Sequence, residues 1–288
     1  RRRRTNNSLA VITIFKLFYI KKLNKELIKM KNRFKINLLL VAAVMAALLI
    51  TMDLFGQQDD LLKKVRENDI EAVEALLAAG SDVNQEDDMM GYTALGMAKS
   101  TEMMNVLISA GAYINHQDKR TGYTTLMNLL NSSNTELAKF LIGNGADIKI
   151  RSNDGTTALI LACGCSGEIA KQLLDKGADI HAITDRGMGV FTQCTNVGLS
   201  RGTVSYDFAE FLLSMGADID EKNTTDYYGG YTPLFWAVES GDEKLVGFLV
   251  NNGANVNVKS NKGKTPLSIA TDAGYVKIAQ IIKNAREK

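Results

Sequence analysis

Two prolines, three cysteines, two histidines and one tryptophan are spread over 288 residues, and each scarcity excludes something. With so little proline, few positions forbid a helix. Three cysteines cannot all pair within one chain, and Cys163, Cys165 and Cys194 lack the paired C-x2-C spacing of a zinc site, so no disulfide framework or metal ribbon organises the fold. The only histidines, His116 and His181, leave little material for base catalysis. No apolar run reaches the about 20 residues of a membrane-spanning helix. Leu38 to Ile50 gives 13.

The net charge conceals two unlike parts. The whole chain carries a formal +2, yet residues 1–29 hold nine Lys/Arg against Glu26, a net of +8, and residues 57–288 hold 22 Lys/Arg against 30 Asp/Glu, a net of −8. An acidic folded part repels phosphate backbones, which argues against nucleic acid as a partner. The apolar content of 45% is ample for a buried core.

The first methionine is Met30; Lys31, Arg33 and Lys35 precede the 13-residue apolar run, and Gly56 follows it. Basic, then apolar, then small is the pattern of a secretory signal. Residues 30–56 are therefore expected to be a signal peptide, cleaved before Gln57; the alternative is an uncleaved membrane anchor over residues 36–52. Residues 1–29 read as a basic leader, untranslated or disordered. The expected location of the mature protein is the periplasm or the cell exterior.

The remaining segment, 57–288, repeats itself. GSDVN at Gly80 returns as GAYIN at Gly111, GADIK at Gly145, GADIH at Gly177, GADID at Gly216 and GANVN at Gly253, with spacings of 31, 34, 32, 39 and 37 residues. A period between about 20 and 50 residues signals stacked supersecondary units. The ten residues ending at each glycine, from EAVEALLAAG to KLVGFLVNNG, place apolar side chains at positions 2, 3, 6 and 7, one face of a short helix. The glycine closes that helix in the left-handed conformation. A second phrase, whose Thr follows most of these glycines by twelve or thirteen residues, is YTALGMA at Tyr92, YTTLMNL at Tyr123, TTALILA at Thr156, YTPLFWA at Tyr231 and KTPLSIA at Lys264. Its Thr is placed to cap the following helix, and Pro233 and Pro266 occupy first-turn positions. The Asp of each GAD phrase reads as a turn acceptor.

A TPL-like helix start and a GAD-like end at this period resemble the ankyrin repeat. The resemblance covers about residues 58–288 in seven units. It implies an all-α solenoid of helix-turn-helix units with short β-hairpin fingers. It also implies a non-enzymatic, cofactor-free monomer that binds another protein. One departure is consistent: the family's histidine after Leu is replaced by Gly96, Met127, Ile160, Thr192, Phe235 and Ser268, which removes its hydrogen bonds between neighbours.

Two insertions explain the long spacings. TNVGLSRGTVSY, Thr195 to Tyr206, lengthens the region between the helices of the fifth unit, and EKNTTDYYGGYT lengthens the finger of the sixth by about four residues. Insertions in a stack tend to fall on one face, often the binding one. Tyr227 and Tyr228 lie in the inserted tip. Tyr92, Tyr123, Met188 and Tyr231 take the variable position before the helix start, where the family fold exposes side chains on its concave side. Arg120 and Arg186 add charge on other fingers, and Trp236, on a first helix, is either presented to a partner or packed between units. These nine residues are the candidate partner-binding site, since interface anchors are enriched in Tyr, Trp and Arg. The competing reading is that the tyrosines only pack against adjacent fingers. A scaffold is the expected role, with an inhibitor or immunity-type protein as the alternative.

Other signals are weaker. GLSRG, Gly198 to Gly202, matches the G-x-S-x-G string of hydrolases but follows no strand, so it reads as a loop. Cys194 could bridge to Cys163 or Cys165 in an oxidising compartment, although the cysteines also suit the family's small alanine positions. Asn223-Thr224-Thr225 matches a glycosylation acceptor, and Met89, Met90, Met97, Met103 and Met104 read as core filler.

Overall fold

The computed structural model describes residues 61–202 and 205–287. The leader and the signal-like segment lie outside the described residues. Among those described, no helix is long and apolar enough to cross a membrane.

Residues 60–288 form one compact unit of seven helix pairs: α1 (61–66) with α2 (Ile70–Ala78), α3 (Ala94–Met97) with α4 (Thr101–Ser109), α5 (Thr125–Asn131) with α6 (Thr135–Gly143), α7 (Ala158–Cys165) with α8 (Gly167–Asp175), α9 with α10 (Tyr206–Ser214), α11 (Pro233–Glu239) with α12 (Glu243–Asn251), and α13 (Pro266–Asp272) with α14 (Val276–Arg286). Helix α9 starts at Val190–Thr192 and continues as a π-helix, Gln193–Leu199. A finger precedes each pair from the second unit on. Successive first helices stack, α5 on α7, α7 on α9 and α11 on α13, so each short helix buries its apolar face against its neighbours in the row. The resulting core is continuous from Leu61 to Ile282. The fingers are hairpins held by isolated bridges such as Glu86 to Thr93 and Gln117 to Thr124, with no extended sheet among the described residues.

Six of the seven second helices are capped by side chains that sequence periodicity alone does not single out, the exception being α14 after Tyr275. Asp69, Ser100, Asn134, Ser166, Ser205 and Asp242 each accept the N–H of the residue three positions on. Of the expected threonine caps on the first helices, Thr124, Thr157 and Thr265 act as such. Thr93 and Thr232 do not: their hydroxyls are buried and make no hydrogen bond. At the histidine position Met127, Ile160 and Phe235 fill core space, and Ser268 completes a reciprocal cap with Thr265.

The repeated phrase has a physical explanation in the turn after each second helix. Gly80, Gly111, Gly145, Gly177, Gly216 and Gly253 all have φ between 84° and 95°, a conformation open to glycine without strain. Two residues later Asp82, Asp147, Asp179, Asp218 and Asn255 each accept the N–H two positions further on at 2.9 Å. In three units the side chain four positions after the glycine also links units. Asn84 accepts the Tyr113 N–H (2.7 Å), Asn115 accepts that of Asp147 (2.8 Å), and Asp220 accepts that of Asn255 (3.0 Å). Lys149 and His181 occupy the same position in the fourth and fifth units and make no such bond among the described residues. At the first of these junctions lies a cleft of ≈ 270 Å³ lined by Ile148, Lys149, Arg151, Ala178, Asp179 and Ala182, among others.

Two local expectations are corrected, and one weak motif is located. The GLSRG segment is not a loop: the fifth-unit insertion extends α9, so Ser200 and Arg201 are helical, and the Ser200 hydroxyl donates to the Asn196 carbonyl at 2.8 Å. The Thr195 hydroxyl donates to the Phe191 carbonyl (2.9 Å), the acceptor that an α-helical N–H at 195 would use, and such back-bonding opens the turn. Met89 is 89% exposed at the second-unit finger rather than core, while Met103 and Met104 are fully buried as expected. Asn223 is buried, with its amide nitrogen bonded to the Arg186 carbonyl (2.8 Å), so it presents no acceptor for a glycan.

Candidate protein-binding surface

The sixth-unit finger owes its shape to one lengthened hairpin. In the other fingers the N–H of Asp87, Asp118, Ser152, Thr184 or Ser260 donates to a carbonyl four or five residues on; here Asn223 donates to Tyr231, eight residues on, at 2.7 Å. The extra residues close as a turn in which Gly230 donates to the Asn223 carbonyl (2.8 Å) and Thr225 hydrogen-bonds the Asn223 side chain by both N–H (2.9 Å) and hydroxyl (2.6 Å). That turn lifts Tyr227 and Tyr228 out of the row.

Tyr228 is the hub of the aromatic cluster that results. Its ring lies 4.6 Å from Tyr227, edge-on, 4.6 Å from Trp236 and 5.3 Å from Tyr231. Tyr231 stands beneath: only 8% exposed, it stacks on Phe235 at 4.6 Å and donates its hydroxyl to the Glu239 carboxylate at 2.8 Å. Burial first, and the neighbouring Glu239 second, hold this phenol well above its ordinary range. The structure therefore places Tyr231 in the core as a support. Trp236 is both packed and presented: half-buried, it leans on Tyr228 and on Tyr231. Tyr227 is 66% exposed.

A further residue, absent from the sequence-derived set, completes the surface. Lys262, on the seventh-unit finger, holds its ammonium 3.7 Å from the centre of the Tyr227 ring. Two glycines permit that approach. The Asn261 N–H donates to the Gly229 carbonyl at 2.7 Å, a Cβ on Gly229 would collide with the Asn261 side chain, and one on Gly230 (φ 82°) would fall 3.0 Å from the Lys259 carbonyl. The signal for Lys262 lay in the repeat alignment, which sets the tip of one finger beside the tip of the next.

The remaining candidates are dispersed. Tyr92, Tyr123 and Met188 are half-buried, each on its own finger, and among the described residues none makes ring contact with the Tyr228 cluster. Arg120 and Arg186 are exposed at finger tips whose backbones are laced to the next finger through Asn153 and Asn223. The three cysteines are free thiols. Of the two possible partners for Cys194 it is Cys163 that meets it across the fourth and fifth units. The hydrogen bond between them and their burial push the Cys163 thiol up, while Cys165 is half-buried.

The sequence pattern of ankyrin repeats, in three copies, matches residues 97–184 and 200–287. The chain belongs to the ankyrin repeat family. Among curated proteins it is similar to a putative ankyrin repeat protein of Borreliella burgdorferi, 25% identical over 81 residues, covering 28% of this chain and 35% of that one. It is also similar to the B-cell lymphoma 3 protein homolog of Mus musculus, 26% identical over 152 residues, covering 51% of this chain and 32% of that one. The nuclear factor NF-kappa-B p105 subunit of Gallus gallus is 27% identical over 151 residues, with 52% and 15% covered. The chain thus spans about a third or less of the length of each. Ankyrin repeats are in general interaction domains rather than catalytic ones, and they bind other proteins.

Proposed function

We propose that this ankyrin-repeat protein is a non-enzymatic scaffold that works in the cell envelope or outside the cell. It binds its protein partner chiefly through the sixth-unit finger. The observation that carries the docking site is the Tyr227, Tyr228 and Trp236 cluster. Three large rings converge at one inserted tip, stiffened from below by Tyr231 and from the side by the seventh finger. Pre-ordered aromatics lose little freedom on binding, which is what an interface anchor requires. Tyr92, Tyr123, Met188, Arg120 and Arg186 extend the same finger row as flanking contacts. The export reading is supported by the basic, apolar and small order of residues 31–56.

Photo-crosslinking tests the site. A benzophenone amino acid replacing Tyr227 is expected to trap one defined protein in envelope extract, and the same probe at Lys171 on α8 is expected to trap none. Trapping of the same partner from Lys171 but not from position 227 would move the interface to the second helices.

A further inference from the structure

Charge is unevenly distributed over the fingers, and this bears on what the Tyr228 cluster receives. The segment 57–288 is net −8, yet the seventh-unit finger, 254–264, carries Lys259, Lys262 and Lys264 and no acidic residue. All three lysines are exposed, and among the described residues no carboxylate pairs with them. On the adjoining sixth finger most carboxylates are occupied elsewhere. Asp218 accepts the Asp220 N–H, Asp220 accepts the Asn255 N–H, and Glu221 is bonded to the Thr192 N–H. Within the inserted tip, 223–230, Asp226 is the single acidic residue, and Glu239 beneath the cluster accepts the Tyr231 hydroxyl.

We propose, resting on the reading of this face as a docking surface, that its occupant is an acidic segment of a partner protein. The segment would carry an aromatic residue among Asp and Glu. Its aromatic side chain packs against Tyr227, Tyr228 and Trp236, while its carboxylates lie along the seventh finger. Three features favour this. Unpaired lysines attract carboxylates and steer their approach. The Tyr227 ring holds the Lys262 ammonium beside the apolar patch, so one ligand can reach both. A polyphosphate chain needs a longer basic track, and beyond this finger the acidic domain repels it.

The test uses the full chain and fluorescein-labelled twelve-residue peptides: one of Asp and Glu around a central Trp, one with Lys for every acid, and one with Gln. An oligothymidylate of equal length is the fourth probe. At physiological salt the acidic peptide is expected to bind at least about tenfold more tightly than the Lys and Gln peptides, with affinity falling as salt rises. Lys259→Glu with Lys262→Glu is expected to weaken it about tenfold. Tyr228→Ala is expected to weaken it too, and Lys244→Glu, on α12, to leave it unchanged. Equal or tighter binding of the Lys peptide, indifference to the lysine reversals, or preference for the oligothymidylate would each overturn the proposal. If a trapped partner is lost on Tyr227→Ala and Tyr228→Ala but indifferent to the lysine reversals, only the acidic preference fails. If neither pair of substitutions affects the partner, the docking surface fails with it.

Discussion

At the scale of single residues, one side chain can hold quite different positions in successive copies of a repeat. Thr124 caps its helix by accepting the Met127 N–H at 3.3 Å, whereas Thr232, in the same place three units later, has a buried hydroxyl with no hydrogen bond among the described residues. Thr124→Val is therefore expected to cost about 1 kcal/mol. Thr232→Val keeps the shape and removes an unsatisfied polar atom, so it is expected to be neutral or to gain up to about 1 kcal/mol. Urea unfolding of the two variants checks the contrast. Tyr231 supplies a second case. Losing its hydrogen bond to Glu239 through Tyr231→Phe is expected to cost about 1 kcal/mol. Because the folded phenol lies above the ordinary value of 10.0, that contribution is complete below pH 10 and is lost as pH rises through the folded value. The difference between wild type and Tyr231→Phe should be flat from about pH 7 to 9 and shrink only in stronger alkali. A difference that already shrinks at pH 8 would mean that the hydroxyl is not buried as described.

At the scale of elements, the helices were legible from the sequence because their apolar spacing and closing glycines repeat six times. The π-helix was not, since an insertion rich in Gly, Ser and Thr carries no period, and only a back-bonding threonine shows how it is absorbed. Nor was the cap of α9. The N-cap of that helix is Gly189, which has no side chain to offer, and Glu221 from the next finger reaches across to accept the Thr192 N–H in its place. A Cβ on Gly189 would collide with that carboxylate. Residue and cap belong to different units 32 positions apart, so no local pattern joins them. Two substitutions expose the exchange. Glu221→Ala is expected to cost about 1–2 kcal/mol, and Gly189→Ser to be destabilising alone but much less so in the Glu221→Ala background, where the serine restores a local cap. Burial raises the Glu221 pKa above 4.5 despite its backbone hydrogen bonds. The raised value makes the site most favourable in acid and costly as pH rises through the folded pKa. Glu221→Gln should therefore be at least as stable as wild type at pH 7, with its advantage vanishing below pH 4.5. The aromatic site was half legible for the same reason: tyrosines in an insertion are visible in the chain, but burial of Tyr231 and recruitment of Lys262 depend on which finger lies beside which.

At the scale of the whole stack, stability is set by junctions, because each unit touches only its neighbours. Three junctions carry an Asn or Asp that accepts a backbone N–H of the next unit, and two, after Lys149 and His181, do not. The first-helix side of the same region compensates: α7 makes extensive contact with the π-helical part of α9, and Cys163 meets Cys194 there. The middle of the solenoid is thus closely packed along its first helices, while its finger bases lack this linking side chain. Lys149→Asn supplies the missing acceptor for the Asp179 N–H and is expected to add about 0.5–1.5 kcal/mol. It should also slow hydrogen exchange at Asp179 more than at residues of α7, whose amides are already protected by the helix. Equal slowing across both would mean that the substitution acts through global stability, and that the finger bases were never the weak point.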